Sequence, residues 1–322
     1  MRLVAIWALV LCFAAASGTA FAQTFPEKPV RVVIPYAPGG GTDNLVRIIA
    51  PSVGSALGQQ LIIENRSGGA SIIGSELVAK AAPDGYTLLA TDLAFLVNPG
   101  LFKAKMPFDT VKSFSGLTMM ASAPVLLVIH PSVPAKNLTE LLALARAKPG
   151  SLNYASGGYG ASTHLAGELM NLAAKVSITH IPYKGTGPAM ADLLAGQVQM
   201  QFAGISSARQ HVEAGKLRAI AVTGKQRNPA MPDVPTFEES GLAGIDADTY
   251  WGVYAPAGVP AAALATLNKA FTAALRSPMH AERLAALGYL PIANSVPEHT
   301  QQLRDMVAGW TDVIDKAKIQ TE

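Results

Sequence analysis

Strand-like and helix-like patterns alternate along this chain, and that alternation limits its possible folds more than any other feature. Val30 to Tyr36 (VRVVIPY) is rich in β-branched residues and reads as a buried strand. Pro38-Gly39-Gly40-Gly41 breaks it. Thr42 or Asp43 can cap the helix that follows, whose apolar residues Leu45, Val46, Ile49 and Val53 recur at helical spacing. Pro51 is expected to end or bend that helix. Gln60 to Glu64 reads as a second strand, Ser71 to Ala81 as a second helix, and Tyr86 to Thr91, after the turn Pro83-Asp84-Gly85, as a third strand. Such a βαβαβ unit builds a parallel sheet with helices on both faces.

A second unit begins near Ala123. Its expected strands are Val125 to His130, Leu152 to Ser156, Ile178 to Pro182, Gln199 to Ala203 and Leu217 to Thr223. The helices between them are Leu138 to Lys148, Ser162 or Thr163 to about Ala174, and Thr186 to Ala195. The last has Pro188 in its first turn and Gly196 just past its end. From Tyr250 the pattern changes: one strand to Ala255, then helices over Pro260 to Leu275, His280 to Leu287 and Pro297 to Ile319.

The N-terminus sets the expected compartment. Met1-Arg2 is a minimal basic region, Leu3 to Ala16 is apolar but short for a bilayer, and Ala20-Phe21-Ala22 is an A-x-A cleavage signal. Residues 1–22 therefore read as a signal peptide cleaved after Ala22, for export to the periplasm. The single cysteine, Cys12, falls inside this leader, so no disulfide is expected in the mature chain. The mature chain carries a net charge of +2 and has no basic run, which gives no footprint for nucleic acid. With half its residues apolar it is a buried, globular chain.

In open α/β sheets, ligands bind beyond the C-terminal ends of the strands. Two glycine-rich segments fall there: Tyr36-Ala37-Pro38-Gly39-Gly40-Gly41-Thr42-Asp43 and Ser156-Gly157-Gly158-Tyr159-Gly160-Ala161-Ser162-Thr163. Each leads from a strand to a helix N-terminus. Glycine lets main-chain N–H groups approach an anion, and the helix dipole adds a favourable field. One such loop in each half suggests a cleft closed on a carboxylate from both sides. Neither loop continues into Gly-Lys-Ser/Thr or completes G-x-G-x-x-G, so no nucleotide cofactor is expected. The G-x-S-x-G elbow, H-E-x-x-H and Cys-His metal spacings are missing, so neither a catalytic constellation nor a metal site is expected.

Several residues carry two readings. His164 either helps bind an anion or, more in keeping with a first helical turn, packs or bonds to backbone. Asp43 is read first as a helix cap and second as a partner for a ligand ammonium or hydroxyl. Lys184, in Pro182-Tyr183-Lys184-Gly185, either neutralises a ligand carboxylate or forms a surface ion pair. Tyr36, Tyr250 and Trp251 either line the cleft or belong to the core.

These segments match a known pattern. Pro38-Gly39-Gly40-Gly41-Thr42-Asp43, Ile63-Glu64-Asn65-Arg66, Pro83-Asp84-Gly85-Tyr86-Thr87, Lys148-Pro149-Gly150, Ser156-Gly157-Gly158-Tyr159-Gly160 with His164-Leu165-Ala166, His180-Ile181-Pro182-Tyr183-Lys184-Gly185, Pro232-Asp233-Val234-Pro235-Thr236 and Ala255-Pro256-Ala257-Gly258-Val259-Pro260 occur in order over nearly the whole mature chain. In this the chain resembles the Bug-type periplasmic solute receptors of tripartite tricarboxylate transporters. The resemblance implies an α/β, type II periplasmic-binding-protein fold: lobe 1 from 23–123 plus 244–322, lobe 2 from 124–243, and a ligand cleft between them. It also implies a small carboxylate ligand, an organic acid or amino acid, and a partnership with the membrane components of such a transporter.

Carried onto this sequence, the ligand-binding residues would be Tyr36, Pro38, Gly39, Gly40, Gly41, Thr42 and Asp43 in the first loop, and Thr91 and Asp92 at the end of the third strand. In the second lobe they would be Ser156, Gly157, Gly160, Ser162, Thr163 and His164, with Tyr183, Lys184 and Gly185. No cofactor is implied, and a monomer is expected. The run Ser67-Gly68-Gly69-Ala70-Ser71 departs from the family's usual Pro-Gly-Ala-Gly-Gly. Gln199 stands where Asp is common, and the second loop carries a bulky Tyr159. A secreted hydrolase or isomerase, or a ligand sensor with a signalling partner, would use the same cleft. An enzyme would need a nucleophile–base pair, for which Ser162 or Thr163 with His164 is the nearby candidate.

Overall fold

The computed structural model describes residues 25–183 and 185–319. The expected leader and Lys184 lie outside the described residues. The strands form two sheets. The first is ordered β11-β4-β10-β3-β1-β2, from β1 (Val30–Ile34), β2 (Leu61–Asn65), β3 (Thr87–Thr91), β4 (Phe114–Ala123), β10 (Thr249–Pro256) and β11 (Leu290–Pro291). The second is ordered β7-β6-β8-β5-β9, from β5 (Val125–Ile129), β6 (Asn153–Ser156), β7 (Thr179–Pro182), β8 (Met200–Gly204) and β9 (Arg218–Val222).

The expectation of parallel sheets holds for three of the six strands of the first sheet and three of the five of the second. β2, β1 and β3 are parallel, as are β7, β6 and β8. β10 then pairs antiparallel with both β3 and β4, and β5 pairs antiparallel with both β8 and β9. The reason is connectivity. β4 runs almost directly into β5, only Pro124 intervening, and the chain returns from β9 to β10. A strand that enters a sheet from the other half arrives in the opposite direction and joins as an antiparallel neighbour. β10 therefore lies in the first sheet although every strand of the second precedes it in sequence.

The helices are α1 (Gly41–Leu57), α2 (Ile72–Ala79), α3 (Leu93–Phe102), α4 (Leu138–Ala147), α5 (Ser162–Ala174), α6 (Thr186–Leu194), α7 (Ile205–Glu213), α8 (Ala261–Leu275), α9 (Pro278–Ala286) and α10 (Val296–Ala317). α1 continues through Pro51, so the proline does not end it. Burial of Val46, Ile49, Val53 and Leu57 along one face outweighs the hydrogen bond that proline removes. α3, α7 and β4 went unread in the sequence. One apolar cluster belongs to the first sheet and its helices (Val32, Ile49, Leu88, Phe271) and another to the second (Leu126, Ala155, Leu193, Val222). A third runs continuously from one to the other, including Val33, Leu89 and Phe95 on one side and Leu127, Tyr154 and Phe202 on the other. No helix among the described residues is long and apolar enough to cross a membrane.

Candidate functional site

Six helices begin at the C-terminal ends of parallel strands: α1, α2 and α3 after β1, β2 and β3, and α5, α6 and α7 after β6, β7 and β8. Their N-termini therefore share one edge of each sheet. The two edges meet. A Cβ placed on Gly160, in the second loop, would lie 3.0 Å from Leu101 Cδ1 and 3.7 Å from Asn98 Oδ1, both on α3. Ser162 Oγ, at the start of α5, is 2.6 Å from Thr249 Oγ1, at the start of β10. The cleft edge is thus formed by helix N-termini from both halves.

The first loop is braced from behind by Asp43. Gly39 adopts φ 84°, and its N–H donates to Asp43 Oδ2 at 2.9 Å. Arg47 Nε donates to the same oxygen at 2.8 Å, and Asn65 Nδ2 to Oδ1 at 3.1 Å. Burial works to raise the Asp43 pKa, but these hydrogen bonds and the Arg47 charge outweigh it, so the carboxyl is held below its ordinary value. Both oxygens of Asp43 therefore face the protein. Gly41 packs against the Trp251 indole, where a Cβ would lie 3.1 Å from Cζ2, and Tyr289 OH donates to the Gly41 carbonyl at 2.8 Å. No side chain caps α1, so the N–H groups of its first turn, next to the exposed Gly39–Gly41 turn, have no helical acceptor. Among the described residues no hydrogen bond joins Pro38–Asp43 to the second loop.

Tyr36, Thr91 and Asp92 form one group. Tyr36 OH donates to Asp92 Oδ1 at 2.5 Å and lies 3.0 Å from Thr91 Oγ1. Asp92 also caps α3 by accepting from Ala94 N–H at 3.0 Å. Burial raises the pKa of Tyr36, with the Asp92 charge next, and burial raises that of Asp92.

The second loop is held by neutral groups. Gly157 N–H donates to Thr163 Oγ1 at 3.0 Å, Gly158 N–H to Ser156 Oγ at 3.1 Å, and Gly160 N–H to His164 Nδ1 at 3.2 Å. Ser156 Oγ lies 2.6 Å from His180 Nε2. The two imidazoles stack with centroids 4.2 Å apart, and the Tyr159 ring meets both edge-on. Burial, with the His180 ring adding to it, pushes His164 down to about 3, and burial pushes His180 down to about 4. His164 is therefore an uncharged brace for Gly160 and brings no positive charge to the cleft. Tyr183 OH donates to Asp192 at 2.7 Å, while Gly185 N–H donates to the Gly157 carbonyl at 3.1 Å and ties the start of α6 to this loop. Ser162, Thr163 and His164 are each engaged elsewhere, so the nucleophile–base pair an enzyme would need is not assembled.

Most N–H groups of the second glycine turn are thus used internally. The donors left at the cleft are those of the first helical turns. Gly40, Ser71, Ala161, Gly185 and Gly204, which precede α1, α2, α5, α6 and α7, make no side-chain cap. Open depressions of about 790 Å3 beside α1 and β2, and of about 460 Å3 beside α3, include none of the expected ligand residues.

Sequence reasoning passed over Ser71, Asn98 and Thr249. Leu93–Phe102 is almost wholly apolar, so it shows neither the period of a surface helix nor that of a half-buried strand, and Asn98 went unnoticed inside it. Ser71 had one signal, the unusual run Ser67 to Ser71.

Two mixed sheets whose parallel strands aim uncapped helices at a shared edge define a two-lobed, type II periplasmic-binding-protein-like α/β fold with its ligand cleft between the lobes. Known proteins agree. The model for the tripartite tricarboxylate transporter family receptor matches residues 45–319. BugT of Bordetella pertussis is 32% identical over 315 residues, covering 97% of this chain and 96% of BugT. A protein from the tcbD-tcbE intergenic region of a Pseudomonas species is 38% identical over 277 residues, 86% of this chain and 82% of the relative. Among solved structures, the periplasmic binding protein BugD superposes with a TM-score of 0.82 at 34% identity, covering 92% of this chain and all of BugD. Rpa4515 of R. palustris, solved with adipate, gives 0.84 at 31%, covering 92% of this chain and 99% of the other. MatC of Rhodopseudomonas palustris, solved with bound malate, gives 0.78 at 33%, covering 90% and 100%.

The chain belongs to the tripartite tricarboxylate transporter receptor family. It is a periplasmic solute-binding receptor.

Proposed function

We propose that this receptor captures a small organic acid or amino acid by its carboxylate, on main-chain N–H groups at the starts of α1 and α5, and delivers it to the membrane components of a tripartite tricarboxylate-type transporter. The observation that carries this reading is the row of five helix N-termini at the cleft edge with no side-chain cap. An uncapped first turn offers free donors and about half a positive charge, which suits an anion. The adipate and malate in the solved relatives are carboxylates of the expected size. A micromolar complex needs about 8 kcal/mol net, which several charge-assisted hydrogen bonds and closure can supply after ordering costs.

In this reading the first-loop residues Gly40, Gly41 and Thr42 contact the ligand through backbone, as do Ser162 and Thr163 in the second lobe. Asp43, His164, Ser156 and Gly157 hold the loops in shape. Tyr36, Thr91 and Asp92 border the cleft, as do Tyr183 and Gly185, while Lys184, outside the described residues, keeps its expected role as a ligand residue. Lobe 1 comprises 23–123 plus 244–322 and lobe 2 comprises 124–243, a division supported by the place of β10 between β3 and β4. The two crossings, β4 to β5 and β9 to β10, are joined by Thr223, whose Oγ1 donates to Asp248 Oδ1 at 2.5 Å and accepts from Val125 N–H at 2.9 Å. Residues 1–22 are removed on export, and the mature receptor acts as a monomer without a cofactor. Calorimetry and thermal shift with dicarboxylates, hydroxy acids, amino acids and aromatic acids test the assignment. Saturable binding of at least one carboxylate is expected, and no binding at millimolar concentration by any of them would remove it.

A further inference from the structure

The segment Ser67–Ser71 is not accounted for by the two loops, and its structure is unusual. It follows the end of β2, which is parallel to β1, so it lies on the same rim as the first glycine loop. Gly68, Gly69, Ala70 and Ser71 all have positive φ, at 137°, 55°, 51° and 74°. For alanine and serine this region is costly and persists only where surrounding structure enforces it.

Two features enforce it here. Gly74 lets α2 sit directly on β1, since a Cβ there would lie 2.8 Å from the Arg66 carbonyl oxygen and 2.9 Å from Pro35 Cα. Asn98, 2% exposed, reaches over from α3, and its Nδ2 donates to the Ala70 carbonyl at 2.7 Å and to Ser71 Oγ at 3.2 Å. The turn is thereby fixed to α3 at the rim of the first sheet.

The chemistry of this corner is incomplete. Asn98 Nδ2 is fully used, which fixes the carboxamide orientation, yet Asn98 Oδ1 is buried and accepts from nothing among the described residues. It lies under Gly160, the second-lobe residue that meets α3. Such an acceptor is costly to leave unpaired. At the same turn Ser71 does not cap α2, and no described group accepts from the Ile73 N–H. A spare acceptor stands where the lobes meet, and a spare donor belongs to the turn that Asn98 anchors. A carboxylate could use only the donor. A hydroxyl can accept from the amide and donate to the carboxamide.

We propose that the Gly69–Ser71 turn and Asn98 form a third arm of the ligand site, and that this arm takes a hydroxyl, so that the receptor's solute is a hydroxycarboxylate. The inference rests on the carboxylate-receptor reading and narrows it. The carboxylate sits on the N-termini of α1 and α5, and the hydroxyl reaches Asn98 as Gly160 lifts with opening of the lobes and is enclosed when it returns.

Matched acids that differ by one hydroxyl test it by calorimetry on the mature receptor: citrate against tricarballylate, L-malate against succinate, and lactate against propionate. In at least one pair the hydroxy acid should bind about tenfold more tightly or better, the effect of one buried hydrogen bond. Asn98→Leu should bring that ratio to within about twofold of unity. Ser75→Ala, which removes a buried hydroxyl one helical turn further on, should leave it unchanged. Equal binding within every pair would overturn the proposal in the wild type alone, so the test stands even if Asn98→Leu does not fold. A hydroxyl preference that survives Asn98→Leu would overturn it too. If none of the six acids binds while an amino acid or aromatic acid from the wider panel does, the hydroxyl arm is overturned and the receptor reading stands; if nothing in the wider panel binds, both fall.

Discussion

Of the helices that begin at the cleft edge, five of six have no side-chain cap, whereas three of the four that begin elsewhere have one. Away from the cleft, Asn137 accepts from Glu140 N–H, Ser277 from Met279 N–H, and Ser295 forms a reciprocal capping box with Glu298. A cap contributes about 1 kcal/mol, so leaving five ends open forgoes stability that the same chain collects elsewhere. At the cleft, stabilising side chains are instead set behind the glycine turns. Asp43 holds the first loop as a carboxylate, and His164, Thr163 and Ser156 hold the second as neutral groups. The loops keep their shape while the first-turn amides stay available, which is what pre-organised anion binding requires.

The neutral bracing of the second loop can be broken with acid. His164 and His180 sit well below the ordinary histidine value, as does His299, pushed by burial to about 4. Each binds its proton more readily when unfolded, so stability is fully present above pH ~6.5 and falls as pH drops towards the folded values near 3 to 4. The loss is up to about 1.4 kcal/mol per histidine for each pH unit. Urea unfolding at pH 7 and pH 5 should show a decrease of several kcal/mol, and His164→Leu should flatten that dependence. A stability constant over this range would refute the neutral brace.

The charged bracing of the first loop gives the next largest effect. Asp43→Ala leaves the Gly39 N–H, Asn65 and Arg47 without their acceptor. Because Arg47 is half-exposed and can return to water, we expect a loss of about 2 kcal/mol, with ligand binding falling by more than tenfold as the turn relaxes. Unfolding and calorimetry on the same sample separate the two.

The smallest expected effect sharpens the comparison of helix ends most directly. Gly40 has φ −74° and ψ 173°, open to any residue, and a Cβ there would meet only the Ala37 carbonyl oxygen at 3.7 Å. Gly40→Asp should therefore cap α1 and stabilise the fold by about 0.5–1 kcal/mol, while weakening carboxylate binding about tenfold by occupying the amides with a negative charge. Ser295→Ala should do the reverse: about 1 kcal/mol of stability lost and no change in affinity. If both variants altered affinity alike, the distinction between the two kinds of helix end would have no functional meaning.

Much of this architecture is written locally. The β-branched runs at Val30 and Val125 and the helical spacing of Leu45 to Val53 gave the elements, because each pattern reflects one buried face. The two glycine loops were legible because a strand-to-helix turn needs residues with few steric limits. α3 was not, since its apolar residues face inward on every side and leave no period to detect. Nor could the sequence tell that the N–H groups of Gly157, Gly158 and Gly160 would be consumed by Thr163, Ser156 and His164, since those bonds depend on where the side chains turn.

By itself, then, the sequence determined the element types, the two glycine turns and, through a chain-long series of motifs, the family. The tertiary structure decided the direction in which β5 and β10 enter their sheets, the meeting of Gly160 with α3, and the placing of Asn98 over Ser71. These contacts join residues far apart in the chain, and only packing, which no local pattern encodes, selects among the partners such residues could have.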